Sequence, residues 1–394
     1  MKFSRSTKDV QQPEVTITLD NDSTGPFHPG SRVSGNVSFP HDPHKPIQKA
    51  EVVLFGRATT RIPRKGATNG ELTLLQFDDT AEIFRSVQHV PLDRDVKNDT
   101  GENYEWRFDL RFPETTSLTS KSPYADESRF EGAYTLETHA LPPSFSMVAS
   151  ASTFAVVGYH VQARLQFEGE EEPLIAQFPE QLVLLPRAAQ QQPRQPIEVV
   201  KSAVRFSSPH LLPSASGSRS SFRILGGNFS SKAPTVNVGL RANLPTTLAT
   251  GASFRLSTTV EISSPSSSNI TIPTINVRVK TLRLFQRTYL RALRVAPGGT
   301  GHRVVETKCE EAVLLNTLPP SIDVSRQHAT DGVEKVWTYP AEFESRVPGT
   351  TCPCFSTVNI NQGFRTDLVL EVTICGKAVE FVVEVPEIVV VAPS

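Results

Sequence analysis

The chain has 394 residues, too many for one ordinary hydrophobic core, so its length predicts two domains. Its 40 basic and 41 acidic residues nearly cancel, which excludes the strongly basic field of a nucleic-acid binder. The 31 prolines outnumber the 22 glycines, which favours many short strands and loops over helical bundles. The opening Met1-Lys2-Phe3-Ser4-Arg5 turns polar at once, unlike a secretory leader. No stretch approaches the roughly 20 apolar residues of a membrane span, so the expected location is the cytoplasm. The four cysteines, all in the second half, are then expected to be reduced thiols.

In chain order, Val15, Ile17 and Leu19 alternate as a first strand. Turn residues follow, with Gly25-Pro26 and Pro29-Gly30. Val33, Gly35, Val37 and Phe39 alternate next, and Ile47–Ile62 reads as a third strand containing Gly56. Glu71–Val90 mixes apolar and polar residues and is expected to fold back on itself as a hairpin. Tyr104, Trp106, Phe108, Leu110 and Phe112 form the cleanest alternation, and Pro113 ends it. Glu114–Ala140 reads as a long polar surface loop. Leu141-Pro142-Pro143-Ser144-Phe145 is stiff and extended and is expected to enter a turn. Beyond it, Val157, Tyr159, Val161, Ala163, Leu165 and Phe167 sit two apart, as on a strand with one buried face. Glu168–Glu172 is a hairpin tip, and Leu174–Leu185 returns as a strand that Pro186 stops.

The polar run around Gln190-Gln191-Gln192-Pro193 reads as a linker at 187–200, separating domains at 1–186 and 201–394. The second half repeats the alternating style through Val379–Val391, with Ser-rich loops at Ser207–Lys232 and Ser263–Asn269. The expected fold is all-β, with two tandem immunoglobulin-like β-sandwiches.

Two segments resemble the arrestin family, in particular the α-arrestins of fungi. One runs Phe27-His28-Pro29-Gly30-Ser31-Arg32-Val33-Ser34-Gly35, a Pro-Gly turn before a strand with a central glycine. The other is Leu141-Pro142-Pro143-Ser144-Phe145 followed by the strand that carries Tyr159. The resemblance implies tandem arrestin-like sandwiches. It further implies a cytosolic adaptor that links membrane transporters or receptors to ubiquitin-dependent endocytosis, recruited to the plasma membrane or endosomes. Its partners would be cytoplasmic segments of membrane proteins, with no nucleic acid and no cofactor. Many α-arrestins recruit a HECT-type ubiquitin ligase through Pro-Pro-x-Tyr. Here Pro142-Pro143-Ser144-Phe145 and Pro319-Pro320-Ser321-Ile322 both lack the tyrosine, so a ligase would be reached indirectly. The alternative is a sorting or coat-complex subunit, like the retromer subunit that shares the arrestin fold.

No spacing singles out an enzyme. A Gly-x-Ser-x-Gly elbow does not occur, and Gly298-Gly299-Thr300-Gly301-His302 lacks the Lys-Ser/Thr of a phosphate loop and reads as a hairpin turn. Cys352-Pro353-Cys354 leaves one residue, a proline, where a zinc ligand pair usually has two, so no metal is expected. The strongest charged feature is Arg278, Lys280, Arg283, Arg287, Arg291 and Arg294. Its first two members alternate as on a strand and the last four are spaced as on a helix, so a bulge or a strand-to-helix change is expected near Thr281-Leu282. Such a row suits phosphates of lipid headgroups or of a phosphorylated tail, or simply a solvated strand face.

Overall fold

The computed structural model describes residues 15–20, 25–40, 45–68, 71–91, 103–116, 140–150, 152–186, 196–211, 233–265, 270–272, 274–295, 302–326, 328–331 and 334–393. The fold is all-β, and among the described residues its sheets are antiparallel apart from one short parallel pairing, Thr247–Ala249 with Val389–Val391. The chain divides into two compact units. Unit 1 comprises Met1–Arg187, Thr288–Cys309 and Phe355–Asn361; unit 2 comprises Ala188–Arg287, Glu310–Cys354 and Gln362–Ser394. Two short pieces from the second half of the chain therefore belong to unit 1.

The N-terminal part of unit 1 holds β1 (Thr16–Leu19), β2 (Arg32–Pro40), β3 (Ile47–Thr68), β4 (Glu71–Val90), β5 (Asn103–Arg111), β6 (Phe145–Ser150), β7 (Thr153–Phe167) and β8 (Leu174–Gln177). One sheet has the order β1-β2-β5; the other runs β4-β3-β7-β6, with β8 also on β7. Each core strand presents every second side chain inward, so the alternations of Tyr104–Phe112 and Val157–Phe167 become two faces of one core. Aromatic rings close the space between the sheets. Phe39 meets Phe167 at 5.6 Å between centroids, and Phe112 meets Phe27, Phe84 and Tyr159 at 5.4, 5.9 and 5.5 Å.

The remaining strands are β9 (Ile197–Ser207), β10 (Thr235–Leu244), β11 (Thr247–Ala249), β12 (Ser253–Pro265), β13 (Ile275–Val295), β14 (His302–Leu314), β15 (Thr317–Leu318), β16 (Ser321–Val324), β17 (His328–Asp331), β18 (Glu334–Arg346), β19 (Phe355–Ser356), β20 (Ile360–Ile374) and β21 (Lys377–Val391). One sheet runs β15-β18-β12-β10-β9, with β17 on β18. Another runs β11-β21-β20-β13-β14, with β16 on β13 and β19 on β20. The core of unit 2 draws on both, from Leu240 and Val260 to Phe343, Leu370 and Val383. Cys375 and Gly376 join β20 to β21 with φ of 51° and 75°. Positive φ at both central residues matches the right-handed twist of a two-residue hairpin.

Several expectations are corrected. Glu71–Val90 is one strand of 20 residues, paired along β3 from Ala50↔Val90 to Thr68↔Glu71. It looked mixed because the register shifts between Gly56 and Arg57, opposite Phe84 and Glu82, which breaks the period of two. Leu174–Leu185 pairs as a strand only to Gln177. Pro179 cannot donate to a ladder, and the chain beyond it is held by isolated bridges at Leu182 and Leu184. Phe145 opens β6 rather than a turn. Residues 197–200, expected in the linker, begin β9. Residues 187–195 of that linker, 117–139 of the long loop, 212–232 and 266–269 of the Ser-rich loops and 296–301 of the Gly-rich turn lie outside the described residues. The ends of the long loop meet in a Thr115↔Ala140 bridge.

Candidate functional site

The segment after Ala140 is a structural latch. Leu141, Pro142, Pro143 and Phe145 are buried and Ser144 is half-buried. Tyr159, fully buried on β7, donates its hydroxyl to the Pro142 carbonyl at 2.5 Å. Burial pushes its phenol far above the ordinary range, so it stays a donor at every relevant pH. The Ser144 hydroxyl donates to the Leu182 carbonyl at 3.2 Å and accepts from the Leu184 N–H at 2.8 Å. Gly56 lies under Tyr159; a Cβ there would come within 2.6 Å of the ring. At the other signature, Gly30, just after Pro29, has φ 79° and donates its N–H to Phe112 at 3.0 Å. Gly35 faces the core where β1 and β5 approach β2. Both signatures thus organise the core, and the first Pro-Pro pair is unavailable to a partner.

The latch gives a paired test. Tyr159→Phe leaves the Pro142 carbonyl without its donor and is expected to cost about 1–3 kcal/mol. Tyr339 is equally buried, yet its hydroxyl has no hydrogen-bond partner among the described residues. Tyr339→Phe should therefore be near neutral or stabilising. Denaturant midpoints of both variants decide it; equal losses would discard the latch.

The basic row does not form one patch. Of the two alternatives expected near Thr281-Leu282, a bulge or a change to helix, the change to helix does not occur, because β13 is strand throughout. Its burial does change phase there, between Val279 and Leu282, both buried and three residues apart. In unit 2, Lys280 pairs with Glu380, and that hydrogen bond raises its pKa. Arg287 reaches Glu310 at 3.1 Å; Glu310 also takes Arg365 at 2.7 Å, and Arg365 pairs with Asp367. The Arg365 guanidinium lies 3.8 Å above the Phe285 ring. Arg278 and Arg283 are exposed, with no ion pair among the described residues. Arg291 belongs to unit 1, where it is buried. The side chain of Arg294 lies outside the described residues.

Arg291 anchors a buried polar cluster in unit 1 that no motif announced. Its Nε donates to the Val358 carbonyl, and its own carbonyl accepts the Thr60 hydroxyl at 2.7 Å. Asn359 donates Nδ2 to the Ala58 carbonyl at 2.9 Å and approaches Asp79 at 3.5 Å. The Arg291 N–H donates to the Asn359 carbonyl at 3.0 Å. A buried network of this kind holds its segments firmly only while every member is satisfied.

The cysteines are free thiols. Burial pushes Cys352 up to about 12, which leaves it a poor nucleophile. The Cys354 sulfur accepts the Val390 N–H at 3.2 Å. Among the described residues no three His, Cys, Asp or Glu side chains group as metal ligands. His160 is half-buried against Phe55; desolvation, then Arg57, lowers its pKa and favours the neutral ring.

The strand edges that have no neighbour among the described residues are the surfaces that remain. β6 ends its sheet and reads Phe-Ser-Met-Val-Ala-Ser, without charge or proline, and Val148 on it is 73% exposed. Edges are usually guarded by charge or proline, so β6 can accept an added strand. No helix among the described residues is long and apolar enough to cross a membrane. Compared with protein-family models the chain matches none, and no curated protein matches it at a significant level.

Proposed function

We propose that the chain is an arrestin-like adaptor of the cytoplasm that holds an extended cytoplasmic segment of a membrane transporter or receptor for ubiquitin-dependent trafficking. The observation that carries this reading is the unguarded edge of β6, next to the Leu141–Phe145 latch. A guest strand there would extend the sheet beyond β6 by backbone pairing and cover Val148. Exposed Arg278 and Arg283 suit peripheral contact with lipid phosphates. A HECT-type ligase would arrive through a bridging protein, since neither Pro-Pro pair is followed by the required tyrosine.

A second reading is a non-catalytic subunit of a sorting or coat complex. Burial of the first Pro-Pro pair favours it, because that pair is closed to a ligase. Affinity purification of the tagged chain from its own cells separates the two. Transporters with a ligase, lost in Val148→Lys without a change in melting temperature, support the adaptor. A stoichiometric soluble complex without ligase, indifferent to Val148→Lys, replaces it with the subunit reading.

A further inference from the structure

β9 is the end strand of its sheet in unit 2. It pairs with β10 on one side, and among the described residues no strand lies on the other. Three of its apolar side chains are well exposed, Ile197 at 40%, Val200 at 61% and Val204 at 42%. Its register with β10 sets which way each residue faces. Ile197, Val199, Lys201, Val204 and Phe206 lie opposite the buried Leu244, Ala242, Leu240, Val238 and Val236, and so share the core side. Glu198, Val200 and Arg205 lie on the outer side, opposite Asn243, Arg241 and Asn237. Between Lys201 and Val204 two residues stand opposite the single Gly239, a β-bulge.

The bulge makes the strand symmetric about Lys201. With its two residues counted as one step, Val199 and Val204 lie equally far from Lys201 and on the same face. The same holds for Glu198 and Arg205, and for Ile197 and Phe206. An antiparallel copy related by a two-fold axis through Lys201 would therefore keep every side chain on its proper face. Glu198 would meet Arg205 of the copy, Val199 would meet Val204, and Ile197 would meet Phe206. Arg205 is exposed and has no ion pair among the described residues. Glu198 reaches Arg241 at 3.5 Å, while Arg241 has its shorter bond to Glu261 at 2.7 Å.

We infer that β9 joins a second copy of this chain, edge to edge and antiparallel, to form a two-fold dimer with one continuous sheet. Two Glu198–Arg205 pairs set the register. Lys201 meets its own copy at the axis and is the one unfavourable pair in that register. Closure by a two-fold uses both edges, so the pairing stops at two copies.

Sedimentation velocity of the full chain over a concentration series tests this. The wild type is expected to move from monomer to dimer as concentration rises. Arg205→Glu places two like-charge pairs across the axis and should weaken the dimer roughly tenfold or more. Adding Glu198→Arg should restore it, and Lys201→Gln should tighten it. Circular dichroism checks that these substitutions leave the fold intact. A wild type that stays monomeric up to its solubility limit overturns the proposal. So does a dimer that ignores Arg205→Glu, and so does a weakened dimer that Glu198→Arg fails to rescue.

Discussion

Trp106→Asp is expected to abolish cooperative folding of unit 1. Trp106 faces the core from β5, is 3% exposed, and stacks on Tyr104 with centroids 5.6 Å apart. Opposite it on β2 is the buried Val37. Removing so large a buried ring costs about 3–5 kcal/mol. An unpaired carboxylate in its place adds several kcal/mol more, against a total domain stability of about 5–15 kcal/mol. Trp106→Phe is the informative control. The indole N–H has no hydrogen-bond partner among the described residues, so phenylalanine loses only burial, roughly 1–2 kcal/mol. Thermal melts followed by circular dichroism compare the three proteins. If the aspartate variant melted near wild type, β5 would not be a core strand.

Gly35→Ala should also be strongly destabilising, though it adds a single methyl group. A Cβ at Gly35 would lie 2.0 Å from the Thr18 carbonyl oxygen, 2.9 Å from the Phe108 ring and 3.0 Å from the Leu19 Cα. Two of those three atoms are backbone of the neighbouring strand, which cannot rotate away. Overpacking of this kind costs about 3 kcal/mol, at the upper end of its usual range. Gly363 is a strand glycine too, on β20, and a Cβ there meets nothing within 4 Å. Gly363→Ala should change stability by no more than about 0.5 kcal/mol, or raise it slightly by restricting the unfolded chain. Urea midpoints that shift alike for both would mean that β1 does not press on β2 as described.

The strands were legible wherever one face is buried and the ladder is regular. Tyr104–Phe112 and Val157–Phe167 alternate because β5 pairs with β2 without a register shift and β7 pairs regularly with β3 from Val157 to Gln166; the one shift, at Phe167, puts its extra residue on β3. β4 was misread because a bulge moves its inward residues from one parity to the other, leaving Ile83 and Phe84 buried side by side. The β13 row left two alternatives open, a bulge or a change to helix, for a related reason. A change of burial phase inside one strand looks, in sequence, like a change from strand to helix spacing. The signature residues were found, but their role was not written in them. Nothing in Leu-Pro-Pro-Ser-Phe says that a tyrosine hydroxyl will take the carbonyl of Pro142.

The sequence by itself determined the all-β class, the position of most strands and which side chains point inward. Those properties depend on local periodicity, because a strand's two faces are set by its own backbone. Tertiary structure alone decided what each polar side chain meets. Lys280 finds Glu380 100 residues away, and Asn359 reaches the Ala58 carbonyl across 301. Strand order sets such partners, and strand order depends on how sheets close around their cores rather than on any local pattern. The same rule divided the apparent basic row, with Lys280 and Arg287 in separate ion pairs, Arg291 in a buried cluster, and Arg278 and Arg283 exposed. It also left β6 and β9 at the ends of their sheets with no further strand beside them among the described residues, which neighbours in space, and not neighbours in sequence, would have had to supply.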